Sequence, residues 1–269
     1  MARPASRDSR PEITLSRHPY GGVVRPLTII SGLFAAVVLL GIAVVVVGNL
    51  SGIGESRRGD GLTPARVDRD TPVAQGAPLA ETVDLVTWST EVAERTTVPA
   101  RALQAYAAAE LAQRAATPDC RLSWTTLAGI GRVESDHGRL GRADLDVNGV
   151  VRPSIIGVPL DGSAGVSEIL DTDGGRLDGD TTYDRAVGPM QFLPGTWARF
   201  GADGSGDGMR DPQQIDDAAR AAAAYLCADG RDTASGEGWW DGVLTYNRSV
   251  NYARLVWAAA DRYAGATTP

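Results

Sequence analysis

Between Leu27 and Gly54 the chain carries no charged side chain, and LTIISGLFAAVVLLGIAVVVVGNL within that run is almost wholly apolar. An apolar stretch of about 20 residues is long enough to cross a bilayer as a helix. A buried core helix of this length beside a basic tail is disfavoured. Arg3, Arg7, Arg10, Arg17 and Arg25 precede the run, so the excess of positive charge places the N-terminus in the cytoplasm. A cleaved signal peptide is the rival reading. Its polar leader is normally shorter, its apolar core is shorter, and a small-x-small cleavage site follows it. No cysteine lies near the segment, which excludes a lipid-modified leader. The sequence therefore predicts a basic cytoplasmic tail over 1–26 and a transmembrane anchor over 27–48. A flexible linker over 49–79, rich in Gly, Arg, Asp, Pro and Thr, and a folded extracytoplasmic domain over 80–269 follow.

Charge divides the same way. Residues 1–58 hold seven arginines against three acids, and residues 59–269 hold 19 arginines against 30 acids, a balance of −11. An acidic domain is a poor polyanion binder, so nucleic acid is not expected as a partner. An oxidising compartment makes Cys120 and Cys227 a candidate disulfide, a staple rather than a catalytic pair, since no His lies near either in sequence. Two buried free thiols are the alternative.

Past residue 79 the apolar residues recur at helical spacing. LAETVDLVTWSTEVAERT sets Val83, Leu85, Val86, Val92 and Ala93 on one stripe. Thr97 and Pro99 suggest a new helix start, and an Ala-rich helix then runs to Pro118. A third helix is expected from Ser123 to Glu134, and further helices near 195–200, 216–227 and 250–264. Residues 138–187 are punctuated by Gly, Asp and Pro, with short strand-like pieces such as GVVRPSIIGVPL. The expected fold is mainly α-helical with a long irregular insertion.

Four stretches carry candidate chemistry. In GIGRVESDHGRLG, Glu134 sits at the end of an apolar helix, where the negative end of the helix disfavours a carboxylate and raises its pKa. A solvated helix-end charge is the alternative. In DRAVGPMQFLPGTW, Gly188–Pro189 forces a turn, Gln191 offers a donor and an acceptor, and Met190, Phe192 and Trp197 supply apolar walls. In LTYNRSVNYARLV, Tyr246 and Asn247 precede a helix and Tyr252 lies near its start; a tyrosine hydroxyl can orient a carboxyl group. An Asn cap beside two core tyrosines explains the same residues. In DGSGDGMRDPQQIDD, Asp203, Ser205 and Asp207 alternate before Gly208, as in the opening of an EF-hand loop, with the Met209 carbonyl next. Position 12 is Gln214 rather than Glu, so Asp217 is the candidate to close the shell of a structural Ca2+. The alternative is an acidic turn capping the next helix through Asp216. DLDVNG at 144–149 has similar spacing but reads as a solvated hairpin, and His137 reads as a solvated residue at the cleft rim.

Taken together, E-S near a helix end, G-P-M-Q-F-x-P and Y-N before a terminal helix resemble the lytic transglycosylases of the lysozyme-like superfamily. The likeness is to their membrane-anchored or secreted actinobacterial forms, and it covers about residues 80–264. The resemblance implies a lysozyme-like helical catalytic domain with an irregular or β-hairpin insertion. It implies cleavage of the MurNAc–GlcNAc β-1,4 bond of peptidoglycan without water, leaving 1,6-anhydro-MurNAc ends. Glu134 would be the single acid and base. Gln191, Tyr246 and Asn247 would line the cleft, supported by Ser135 and Met190, and no cofactor would enter the chemistry. Arg248 departs from the smaller or His-like residue expected there. Two rivals stay open: a module that binds glycan strands without cutting them, and a hydrolase whose second carboxylate would come from Asp171, Asp173, Asp178, Asp180 or Asp184.

Overall fold

The computed structural model describes residues 61–163 and 166–267. The expected tail and anchor, 1–48, lie outside the described residues, and no described helix is long and apolar enough to cross a membrane. The described chain is mainly helical: α1 Leu85–Thr96, α2 Ala100–Ala116, α3 Trp124–Ser135, α4 Pro194–Phe200, α5 Ile215–Leu226, α6 Gly236–Tyr246 and α7 Val250–Thr267. One antiparallel pair, β1 Asp144–Leu145 and β2 Val151–Arg152, completes it, with Leu145 opposite Val151.

Helix α3 is the axis of the core. It packs on α7 and α2, and α2 packs in turn on α5 and α1. Its start is fixed twice: the Ser123 hydroxyl accepts from Thr125 N, and the buried Glu110 carboxylate accepts from Trp124 N at 2.7 Å. Leu127 and Ile130 are fully buried, each worth about 1.5–3 kcal/mol of transfer free energy. Gly129 and Gly131 make the close crossings possible. A Cβ at Gly129 would meet the Val256 carbonyl of α7 at 2.8 Å, and one at Gly131 would run into the Tyr106 hydroxyl of α2.

Several boundaries differ from the sequence expectation. Helix α1 begins only at Leu85, because Asp84 caps it by accepting from Val86 N at 3.1 Å. Val86 then points outward and is 63% exposed, so it does not belong to the apolar stripe. Thr97 does not start α2; it ends α1 in the left-handed region, at φ 63°. Helix α6 was not expected, for Gly236, Gly238 and Gly242 weaken its helical signal. Trp239 and Trp240 nevertheless bury completely, and that burial outweighs the propensity. The 144–149 stretch forms the tip of the β1–β2 hairpin, where Asp146 accepts from Asn148 N and Val150 N.

Residues 61–79, expected within the linker, have no helix or strand but lie along the domain. The Thr71 carbonyl accepts from the indole N–H of both Trp240 and Trp257, and Val73 and Leu79 are buried. Cys120 and Cys227 form a disulfide, Cα–Cα 5.5 Å, tying the turn after α2 to the end of α5.

Candidate active site

Helix α3 ends one residue past Glu134, and three successive positive φ angles reverse the chain there: Asp136 at 51°, His137 at 61° and Gly138 at 86°. Left-handed non-glycine residues are costly and persist only where the surroundings hold them. Here His137 N donates to the Gly131 carbonyl at 2.8 Å, and the Asp136 carboxylate pairs with Arg132 and, at 3.2 Å, with Arg139. His137 is not a solvated rim residue. It is buried and bridges two helices, Nδ1 to the Tyr106 hydroxyl and Nε2 to the Tyr263 hydroxyl, both at 3.2 Å. Burial and the charges of Arg139 and Arg132 hold it well below the usual imidazole pKa, so it is neutral.

The reversal leaves Glu134 buried at the helix end. The Tyr252 hydroxyl, from the first turn of α7, donates to Glu134 Oε1 at 2.6 Å. Burial pushes the Glu134 carboxyl up to about 8, against the smaller opposing effect of the Tyr252 hydrogen bond. At neutral pH the group is therefore mainly protonated. Tyr252 was visible in the sequence as a possible carboxyl-orienting hydroxyl, but only its place near the start of the terminal helix pointed to it.

The residues singled out around Glu134 come together through the loop 187–192. Val187 and Phe192 exchange backbone hydrogen bonds, 2.8 and 2.9 Å, and Gly188-Pro189-Met190-Gln191 forms the tip. Gly188, at φ 79°, lies so close to the Pro212 carbonyl that a side chain is excluded. The Ser135 hydroxyl donates to the Pro189 carbonyl at 2.6 Å and accepts from Gly138 N at 2.7 Å, locking the loop to the end of α3. The Tyr246 hydroxyl donates to the Met190 carbonyl at 2.7 Å. Met190 and Tyr246 are buried, so their roles in this structure are to hold the loop. Gln191, at φ 48°, folds its Nε2 back to the Gly188 carbonyl at 2.9 Å and is half-buried. Asn247 is buried after the last residue of α6. Its Oδ1 accepts from Ser249 N, and its Nδ2 has no partner among the described residues.

The acidic residues of the insertion hold their own loop. Asp171 accepts from Asp173 N, Gly174 N and Gly175 N; Asp184 accepts from Thr172 N and its hydroxyl; Asp178 accepts from Asp180 N and Arg185 N. Carboxylate oxygens of Asp171, Asp173 and Asp184 lie within 4.8 Å of one another, the one such grouping among the described residues. In the 203–217 loop the carboxylates are turned to backbone amides. Asp203 accepts from Gly206 N and Gly208 N, Asp207 from Met209 N, and the buried Asp217 from Gly204 N, Ser205 N and Asp211 N. Gly206 and Gly208 both have positive φ. The cap of α5 is Gln214, which accepts from Asp216 N, while Asp216 pairs with Arg101.

Residues 175–240 match the family described as Transglycosylase SLT domain, a span that includes the 187–192 loop and the 203–217 loop. No curated protein sequence matches the chain. Two solved structures of the Escherichia coli lytic transglycosylase Slt35 are similar at 13% identity. The one in complex with bulgecin A covers 69% of this chain and 81% of that chain, at a TM-score of 0.38. The one in complex with calcium covers 67% and 79%, also at 0.38. A likeness at that score bears on neither the fold nor the site. The family match includes the loop that the Ser135 hydroxyl ties to the end of α3, and residues 175–240 are thus similar to transglycosylase SLT domains.

Proposed function

We propose that the chain cleaves the MurNAc–GlcNAc β-1,4 bond of peptidoglycan by intramolecular transglycosylation, with Glu134 as the single acid and base on a lysozyme-like helical domain. The observation that carries this reading is the buried Glu134 carboxyl, held by the Tyr252 hydroxyl at 2.6 Å and pushed up to about 8 by burial. A protonated carboxyl gives its proton from Oε2 to the glycosidic oxygen as the C1–O bond breaks. The resulting carboxylate then takes the proton of the MurNAc C6 hydroxyl while O6 bonds to C1, giving a 1,6-anhydro end with no water consumed. The Tyr252 hydrogen bond favours the charged form, which helps the carboxyl give up its proton in the first step. A two-carboxylate hydrolase would need its partner group within about 5–9.5 Å; the insertion aspartates are engaged by amides of their own loop.

Asn247 Nδ2 supports a role in substrate binding, since a buried amide donor without a partner costs about 1–3 kcal/mol unless a ligand accepts from it. Gln191, whose Nε2 donates to the Gly188 carbonyl, is read as a second substrate-binding amide through its remaining N–H and its Oε1. The 203–217 loop has an all-oxygen donor set suited to a hard cation, with Asp203, Ser205, Asp207 and the Met209 carbonyl as ligands of a structural Ca2+. Asp217 has both oxygens engaged by loop amides and so reaches such an ion chiefly by shaping the loop. The apolar run 27–48 is read as a membrane anchor that keeps the domain outside the cytoplasm and near the wall.

The rival is a module that binds strands without cutting. Comparing the full-length protein with Glu134→Gln separates them. The enzyme reading expects glycan affinity within about 3-fold of wild type and a loss of fragment release of at least about 100-fold. Equal behaviour of the two proteins would favour the binder.

A further inference from the structure

Two arginines flank this site without a carboxylate partner. Arg199 lies in the last turn of α4, Arg248 follows Asn247, and both side chains are exposed. Neither forms an ion pair among the described residues, whereas Arg101, Arg121 and Arg231 pair with Asp216, Asp232 and Asp229. A run of rings ties them to the active-site loop. Tyr246, which holds the Met190 carbonyl, packs on Tyr225 with centroids 5.6 Å apart, and Tyr225 packs on Phe200 at 4.7 Å. The Arg199 guanidinium carbon stands 5.2 Å from the Phe200 centroid. On the other side the Tyr225 hydroxyl donates to the Thr245 carbonyl at 2.9 Å, three residues before Arg248. Burial raises the Tyr225 phenol pKa, and the charges of Arg231, then Arg199 and Arg248, oppose it.

The surrounding domain carries an excess of 11 negative charges over residues 59–269. Such a surface repels an acidic ligand, and two cations without acidic partners offset that repulsion where they stand. A guanidinium offers a planar fork that matches a carboxylate, and its stacking on an aromatic face holds it in place. We propose that Arg199 and Arg248 form a carboxylate-recognition subsite beside the cleft, which reads an acidic substituent of the glycan strand. The carboxylate has two possible sources, the lactyl ether of MurNAc and the peptide attached to it. The assignment rests on the reading of the chain as a peptidoglycan-binding enzyme, and it makes the protein discriminate against neutral strands of the same sugar backbone.

Equilibrium binding to the full-length Glu134→Gln protein tests it. The ligands are oligomers of equal length: a neutral GlcNAc strand, a peptide-free MurNAc–GlcNAc strand, and the same strand with its peptides. At least one acidic ligand is expected to bind about 5-fold or more tighter than the neutral one. The further double substitution Arg199→Ala, Arg248→Ala should bring that ligand down to the neutral level. Preference for the peptide-free acidic strand identifies the lactyl carboxylate, and preference confined to the peptide-bearing strand identifies the peptide. Equal affinity for all three ligands, or a preference that survives the double substitution, overturns the subsite. An arginine-dependent preference in a protein whose wild type releases no fragments would leave the subsite standing and remove the enzyme reading. Cleavage without such a preference would do the reverse.

Discussion

Glu134 ties the chemistry to stability through its proton. Its folded pKa, about 8, lies above the ordinary carboxyl value of 4.5. Between those values the folded state binds more protons than the unfolded chain, so stability falls as pH rises through that window. The full shift corresponds to a few kcal/mol. Glu134→Gln has no proton to lose. It is expected to be more stable than wild type by about 2–4 kcal/mol at pH 8.5 and by much less at pH 5. Melting curves at the two pH values check this, and a constant difference would mean that the carboxyl is not buried as described. Tyr252 acts on the same proton from the other side. Tyr252→Phe removes a hydrogen bond that lowers the Glu134 pKa. The basic limb of the pH–rate profile should then move to higher pH, and the rate at neutral pH should fall by about 10-fold or more. A lower rate with an unmoved limb would assign Tyr252 to packing alone.

At the scale of elements, the legible parts were those with a local physical signal. The start of α3 shows in Ser123, and the 144–149 turn shows in Asp146 and Gly149. The turn at 187–192 shows in Gly188–Pro189, and only glycine at 188 fits the close approach to Pro212. Helix α6 was hidden because its glycines argue against a helix, and only the tertiary burial of Trp239 and Trp240 overrides them. His137 was misplaced for a related reason: its two partners, Tyr106 and Tyr263, lie 31 and 126 residues away. Nothing local announces such a bridge. The 203–217 loop is legible as an oxygen-rich turn, and its occupancy is a separate question with a direct test. If Ca2+ binds there, the melting temperature should rise with calcium over chelator by a few degrees, and Asp203→Ala should abolish the difference. Identical curves would leave the loop as a hydrogen-bonded turn and nothing more.

For the whole molecule, the described chain forms a helical domain built around α3, stapled by Cys120–Cys227 and bound along one side by residues 61–79. That segment makes the folded unit begin earlier than its composition suggests. Gly, Pro and Asp describe a chain without helix or strand, but not whether it is free; the Thr71 carbonyl holds the indoles of α6 and α7, and Val73 is buried in the core. The anchor read at 27–48 would then leave a short tether between membrane and domain. The proposed function makes one central claim, that the buried Glu134 carboxyl breaks the glycan with the substrate's own hydroxyl. Digestion of purified peptidoglycan by the full-length protein in heavy-oxygen water, with mass spectrometry of the soluble fragments, tests it most directly. The account predicts fragments one water lighter than hydrolytic products, with no heavy oxygen at their ends and none released by Glu134→Gln. Reducing ends that carry the heavy oxygen would contradict it and make the protein a hydrolase.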